Sequence, residues 1–288
     1  MEKIWSCAFL KMSKARCLAG SQLFLVLMLA FGVVRAKTQT RSDSVVWQRA
    51  AIIEGVFVGM TTDPLQQIYA INARNELFKY SAEGALLFQY NNNRLGRLAR
   101  VDASNPFNVL LYYPDFQIVK TLDRTLNPSG EFKLYELGLI NTAALALSND
   151  NHLWVFDETS DQLKKIGRDG QILAQSDNLA LLLGQDPAPT QIQAKGNFVY
   201  ALDPKMGILV FDAFGQYDRL LPIKNISDFQ PLDGFIWYQT AQGFFWCDNL
   251  GRGITMLQLP AIGSAARLEK NNWIILNKSG IEVWKKKQ

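Results

Sequence analysis

The 288-residue sequence contains one histidine, three cysteines and only 19% charged residues. Each scarcity removes a class of function. With His152 alone, no histidine cage for a metal can be assembled. Cys7 and Cys17 both precede residue 36, so a chain trimmed there keeps Cys247 only, and one thiol forms no internal disulfide. Cys247 ends the apolar run Phe244-Phe245-Trp246, where a buried, inert thiol is expected. There is no Gly-rich phosphate loop, no cysteine pair and no nucleophile elbow. Surplus charge is also missing from most of the chain. Lys3, Lys11, Lys14, Arg16 and Arg35 against Glu2 give the first 36 residues a net of +4, which leaves 25 basic and 25 acidic residues in the remainder. The whole formal charge of +4 therefore resides at the N-terminus, and nucleic acid is set aside as a partner. No apolar run is long enough to span a bilayer: Leu23–Val34 holds twelve residues where about 20 are needed.

That short run has a different use. Lys11, Lys14 and Arg16 precede it, and Val34-Arg35-Ala36 places small residues at a cleavage position. Residues 1–36 read as a signal peptide, with a retained anchor as the alternative; only in that case does the chain touch a membrane. Residues 37–44 read as a linker and 45–288 as the folded domain. At 48% hydrophobic, roughly 250 residues are enough to build a core without disulfides.

The domain is organised by an internal repeat. Short apolar segments begin at 68, 109, 153, 199, 236 and 273, each followed by a turn and a second apolar segment. Leu153-Trp-Val-Phe-Asp157 precedes Leu163-Lys-Lys-Ile166, and Val199-Tyr-Ala-Leu-Asp203 precedes Ile208-Leu-Val-Phe-Asp212. The spacings are 41, 44, 46, 37 and 37 residues, without an amphipathic helical pattern between them. A period near 40 built from strands predicts four-stranded propeller blades. Turns such as Arg168-Asp169-Gly170 lead into outer strands such as Gln171–Gln175, while Gln191–Ala194 and Ala143–Leu147 supply inner strands. Six repeats give an all-β, six-bladed β-propeller. The sixth unit ends one strand short, and Val45–Ile53 is an unassigned β-rich stretch, so the sequence predicts that this N-terminal strand completes the last blade.

Val199–Arg219, VYALDPKMGILVFDAFGQYDR, resembles an NHL repeat: a strand ending in Asp, a turn, an apolar strand ending Phe-Asp, then Gly and an outer strand. Leu153–Gly170 is a looser match. The chain thus resembles the NHL-like six-bladed propellers exported by bacteria, Bacteroidetes among them. The resemblance implies the periplasm or cell envelope of a bacterium as its location, but the fold hosts binding modules, lyases, lactonases and glycosidases alike.

Candidate chemistry is sparse. Asp157, Asp203 and Asp212 stand at the starts of turns in equivalent repeat positions, where a carboxylate caps local backbone N–H groups rather than holding a metal. No cofactor is expected, although an oxygen-ligand Ca²⁺ site stays open. Trp154, Trp246, Trp273 and Trp284 lie within strands and are expected between blades. The turns between second and third strands, together with the connections between blades, should share one face. They offer Arg74, Arg94, Arg97, Tyr113, Asp115, Phe116, Lys205 and Gln239 as a binding surface rich in arginine and aromatics. The leading expectation is an exported, non-enzymatic scaffold, monomeric or part of a complex, that binds a protein or a cell-envelope component. The alternative is a propeller hydrolase or lyase with an oxygen-ligand metal in its central channel.

Overall fold

The computed structural model describes residues 46–270 and 272–287. The expected signal peptide (1–36) and linker (37–44) lie outside the described residues. The described chain opens with β1 (Trp47–Glu54) and then forms sheets of four antiparallel strands. Blade 1 comprises β2 (Phe57–Thr62), β3 (Ile68–Asn72), β4 (Leu77–Tyr80) and β5 (Leu86–Tyr90). Blade 2 comprises β6 (Arg100–Asp102), β7 (Val109–Tyr113), β8 (Ile118–Leu122) and β9 (Pro128–Lys133). Blade 3 holds β10 (Leu145–Leu147), β11 (Leu153–Asp157), β12 (Gln162–Ile166) and β13 (Ile172–Gln175). A five-residue helix α1 (Leu179–Leu183) leads to blade 4: β14 (Gln191–Lys195), β15 (Phe198–Asp203), β16 (Gly207–Asp212) and β17 (Tyr217–Leu221). Blade 5 holds β18 (Asp228–Pro231), β19 (Phe235–Thr240), β20 (Gly243–Asp248) and β21 (Thr255–Leu257). Blade 6 is β22 (Ala265–Glu269), β23 (Asn272–Asn277) and β24 (Gly280–Lys286), with β1 hydrogen-bonded to β24 as its fourth strand. The architecture is an all-β, six-bladed propeller.

The strand sequences follow from where each strand sits. A middle strand has a neighbouring blade against both of its faces, so the usual alternation of apolar and polar residues gives way to continuous apolar runs. In β7, Val109-Leu-Leu-Tyr-Tyr113, every residue is buried, and the same is true of β11. Outer strands lose that cover: Leu86–Gln89 of β5 are exposed. The core is accordingly divided into six apolar clusters, one at each junction between blades. Trp154, Phe156 and Leu163 of blade 3 meet Ile192, Leu209 and Phe211 of blade 4. Between blades 4 and 5, Tyr200, Leu202 and Val210 meet Phe229, Ile236 and Cys247. Burial pushes the Cys247 thiol up to about 11, which leaves it protonated and unreactive.

The turn carboxylates do local work. Asp212 Oδ1 accepts the backbone N–H groups of Phe214 and Gln216 at 2.8 and 2.9 Å, and Asp203 Oδ1 accepts that of Lys205 at 2.7 Å. Asp157 Oδ1 takes Thr159 N–H at 3.0 Å, while its Oδ2 pairs with Lys164 at 2.5 Å. Asp63, Asp123 and Asp248 repeat the Asp212 pattern, each accepting N–H groups two and four residues ahead. Trp154 and Trp273 are buried within junctions, but Trp246 is exposed, resting edge-on against Phe235. Its strand β20 lies where the short outer strand β21 gives little cover.

Candidate functional site

The inner strands β2, β6, β10, β14, β18 and β22 surround the axis. Each contributes one free edge of unpaired backbone groups, and polar side chains from other inner strands satisfy these groups. Gln191 and Gln193 of β14 donate to the carbonyls of Ser227 and Phe229 at 3.0 and 2.6 Å. Gln230 of β18 donates to Leu268 O at 3.2 Å and accepts Leu268 N–H at 3.0 Å. Asp102 Oδ2 accepts the N–H of Leu147 across the next junction at 2.8 Å. Thr62 Oγ1 donates to Glu269 at 2.7 Å and so links blades 1 and 6.

Between these strands lies a cavity of about 740 Å³. Its wall comes mainly from the first residues of the inner strands and the segments leading into them: Val58, Ala99, Thr142, Thr190, Ser227 and Ser264. It therefore opens on the face that carries the connections between blades and the turns between second and third strands. Arg97, Arg100 and Arg267 line it, together with Asp102 and Asp228. Two of these charges neutralise each other directly. Arg267 grips Asp228 through Nη1 at 2.5 Å and Nη2 at 3.3 Å, and its guanidinium lies 5.6 Å from the Trp237 ring centroid. Arg100 behaves differently. It reaches from β6 of blade 2 to β14 of blade 4, where Nη2 donates to Ile192 O at 2.6 Å. Burial pulls this guanidinium below the ordinary arginine value, against the opposing influence of Asp102 and Asp228.

The residues expected on the binding face are placed as follows. Arg97 and Gln239 line the cavity, and Gln239 Nε2 donates to Ser264 O at 3.1 Å. Asp115 and Phe116 stand beside it in the turn after β7, where Asp115 Oδ2 accepts the Arg97 N–H at 2.7 Å. Arg94 is exposed in the connection from blade 1 to blade 2. Arg74 and Lys205 are exposed on their turns, Arg74 pairing with Glu76 at 3.0 Å. Tyr113 is not on the face. It is the last residue of β7, fully buried between blades 1 and 2 with Tyr69, Leu77 and Leu122, because the turn begins only at Pro114. The same face also presents large apolar side chains: Phe116 is 53% exposed, Leu181 85% and Ile262 95%, with Val56 and Ile140 exposed in further connections between blades and Val58 exposed near the start of β2.

The sequence reading named a central channel and Phe116, but not the arginine and aspartate side chains that line the channel nor the other exposed apolar residues. The channel had a usable signal: the weakest strands carry polar residues at every second position, as in Arg100-Val-Asp102, Gln191-Ile-Gln193 and Asp228-Phe-Gln230. The exposed apolar residues are scattered over separate connections, the short helix α1 and the start of β2, and leave no periodic trace.

No protein-family model matches the chain, and comparison with curated proteins finds no relative. Solved structures do match. The WD40 domain of Pan2 from Neurospora crassa superposes with a TM-score of 0.59 at 10% identity, covering 85% of this chain and 97% of that one. Virginiamycin B lyase from Staphylococcus aureus gives 0.55 at 13% identity, covering 78% and 79%. A catalytically inactive variant of that lyase, with quinupristin, gives 0.54 at 12%, covering 83% and 99%. The likeness is one of fold. At such identities the neighbours share blade geometry with this propeller, and its site has to be argued from its own residues.

Proposed function

We propose that this propeller is a non-enzymatic binding module that captures a protein or cell-envelope component on the face where the channel opens. One observation carries the reading: Phe116, Leu181 and Ile262, from three separate connections, expose most of their side chains on that face around a polar, arginine-bearing mouth. Large exposed apolar groups gathered on one side and interleaved with arginine are the composition of an interaction surface. The WD40 domain among the structural neighbours accords with a scaffold role. The signal peptide read in residues 1–36 and the NHL-like pattern of Val199–Arg219 support an exported protein of a bacterial envelope. Among the described residues, no helix is long and apolar enough to cross a membrane.

The competing reading is a hydrolase or lyase with an oxygen-ligand metal in the channel, favoured by the likeness to virginiamycin B lyase. Its carboxylates would be Asp102 and Asp228, which here accept backbone N–H groups and a guanidinium respectively. The readings part in one experiment. Photo-crosslinking from position 116 in cells should give discrete crosslinked species that vanish in Leu181→Asp/Ile262→Asp, with the melting temperature unchanged. An identical crosslinking pattern in that variant refutes the face. A Ca²⁺-dependent rise in melting temperature, reversed by EDTA, favours the metal reading instead.

A further inference from the structure

The channel holds an arginine that makes no ion pair among the described residues, with Asp102 and Asp228 acting on it only from farther off. Three arginines and two aspartates line the cavity, a net charge of +1. Arg267 and Asp228 form a pair, and both oxygens of Asp102 are taken by the N–H groups of Leu147 and Ser104 at 2.8 and 2.9 Å. Arg97 is exposed at the mouth. Arg100 remains. Among the described residues no carboxylate lies within ion-pair distance of it, and its one hydrogen bond goes to Ile192 O. Five buried side-chain polar atoms of the described residues lack a partner, and two of them, Arg100 Nε and Thr142 Oγ1, belong to residues lining this cavity.

A buried guanidinium Nε–H without a partner is costly, and a purely structural strut across the axis would not need the charge. Gln191 and Gln193 bridge inner strands by the same carbonyl contact without any charge. What the guanidinium offers beyond an amide is a planar fork matched to two oxygens of one anion. The cavity volume lies within the range of small-molecule sites, roughly 300–1,000 Å³.

We infer that the central channel is a binding site for a small oxyanion, the carboxylate or phosphate group of a soluble ligand, anchored by the guanidinium of Arg100, with the Thr142 hydroxyl in the same cavity wall. The inference stands apart from the macromolecular face and survives if that face binds nothing. The test is calorimetry and thermal melting of the intact protein with phosphate, acetate and citrate, each up to about 50 mM with ionic strength held constant by NaCl. At least one anion should raise the melting temperature saturably, and the three arms separate phosphate from carboxylate. Arg100→Met should abolish the rise, the shift being read against that variant's own melting temperature without anion, since it also loses the contact to Ile192 O. Arg100→Lys, which keeps the charge and loses the fork, should weaken binding by roughly tenfold or more and guards against a folding defect in the first variant. Arg252→Met, on an exposed turn where it pairs only with Asp248, should leave the response intact. No saturable rise with any of the three anions overturns the inference, and so does an equal rise in Arg100→Met.

Discussion

Ile52 and Ile53 are consecutive residues of the same type in β1, yet the structure gives them opposite energetics. Ile53 is 4% exposed and packs with Met60, Ile68, Ile274 and Ile281 at the junction of blades 6 and 1, while Ile52 is 48% exposed. The register that creates this difference pairs Ile53 with Ile281 and Glu54 with Gly280. Gly280 fits the pairing closely: its φ is +149°, and a Cβ there would collide with the carbonyl of Ile53. Truncating a buried isoleucine removes transfer energy and leaves a cavity, costing about 2–4 kcal/mol. For a domain of this size each kcal/mol moves the melting temperature by roughly 2–4 °C, so Ile53→Ala should melt roughly 5–15 °C lower. Ile52→Ala, on the solvent side, should stay within about 0.5 kcal/mol of the parent. Differential scanning calorimetry of the two variants, backed by urea midpoints, reads both numbers. Ala50 is an extra residue in the strand, since Arg49 and Ala51 oppose the adjacent Trp284 and Val283. If that bulge were absent, the strand would be shifted by one residue and every side chain would exchange faces. Equal losses in the two variants, or a larger loss in Ile52→Ala, would therefore refute the register and the junction core derived from it.

Two further perturbations probe the axis. Glu269 is raised above the ordinary glutamate value by burial, which the hydrogen bonds from Thr62 and Gln230 and the charge of Lys195 only partly offset, with Asp63 adding to the rise. A carboxyl raised in the folded state stabilises the fold at pH below its unfolded value and loses that contribution as pH rises through the folded one. Glu269→Gln should therefore melt higher than the parent at pH 7, and the gap should close towards about pH 4, where the glutamate is itself protonated; a constant gap across that range counts against the burial argument. Arg267→Met strips Asp228 of its partner and should cost about 2–3 kcal/mol in chemical denaturation, most of it returned by adding Asp228→Asn. Full additivity of the two changes would show that the pair is not coupled.

How much of this was readable beforehand depended on burial on both faces. The six middle-strand pairs announced themselves because enclosure between blades demands uninterrupted apolar runs such as Val199–Leu202 and Ile208–Phe211. The turns were legible where an aspartate begins them, since one carboxylate oxygen serving two N–H groups is a local arrangement that needs no knowledge of the tertiary fold. Tyr113 was misplaced because the boundary between strand and turn falls one residue later than the aromatic suggests, at a proline-led 3₁₀ turn. Val56, Ile140 and Ile262 were missed for the opposite reason: a single apolar residue in a connection looks the same in sequence whether it is tucked in or exposed.

The channel was the hardest part to foresee, and its difficulty has a physical basis. An inner strand is an edge strand facing inward, so its open N–H and C=O groups must find partners that neither its own sheet nor an apolar neighbour supplies. The solution here is to place Gln, Asp and Arg where a strand would ordinarily carry β-branched or aromatic residues, and to aim them at main-chain atoms on other inner strands, as Gln193 does at Phe229 O and Arg100 at Ile192 O. Propensity therefore points away from strand at the positions that close the ring. The same requirement fixes where a ligand site can arise. Once glutamine amides and an aspartate have answered the exposed edges, any donor beyond that need is surplus to folding, and Arg100 carries such a surplus in its unpartnered Nε–H and in a charge that makes no ion pair among the described residues. A ring whose axis must be polar in order to close thus has, at that axis, the setting in which one excess cation becomes a recognition element rather than a defect.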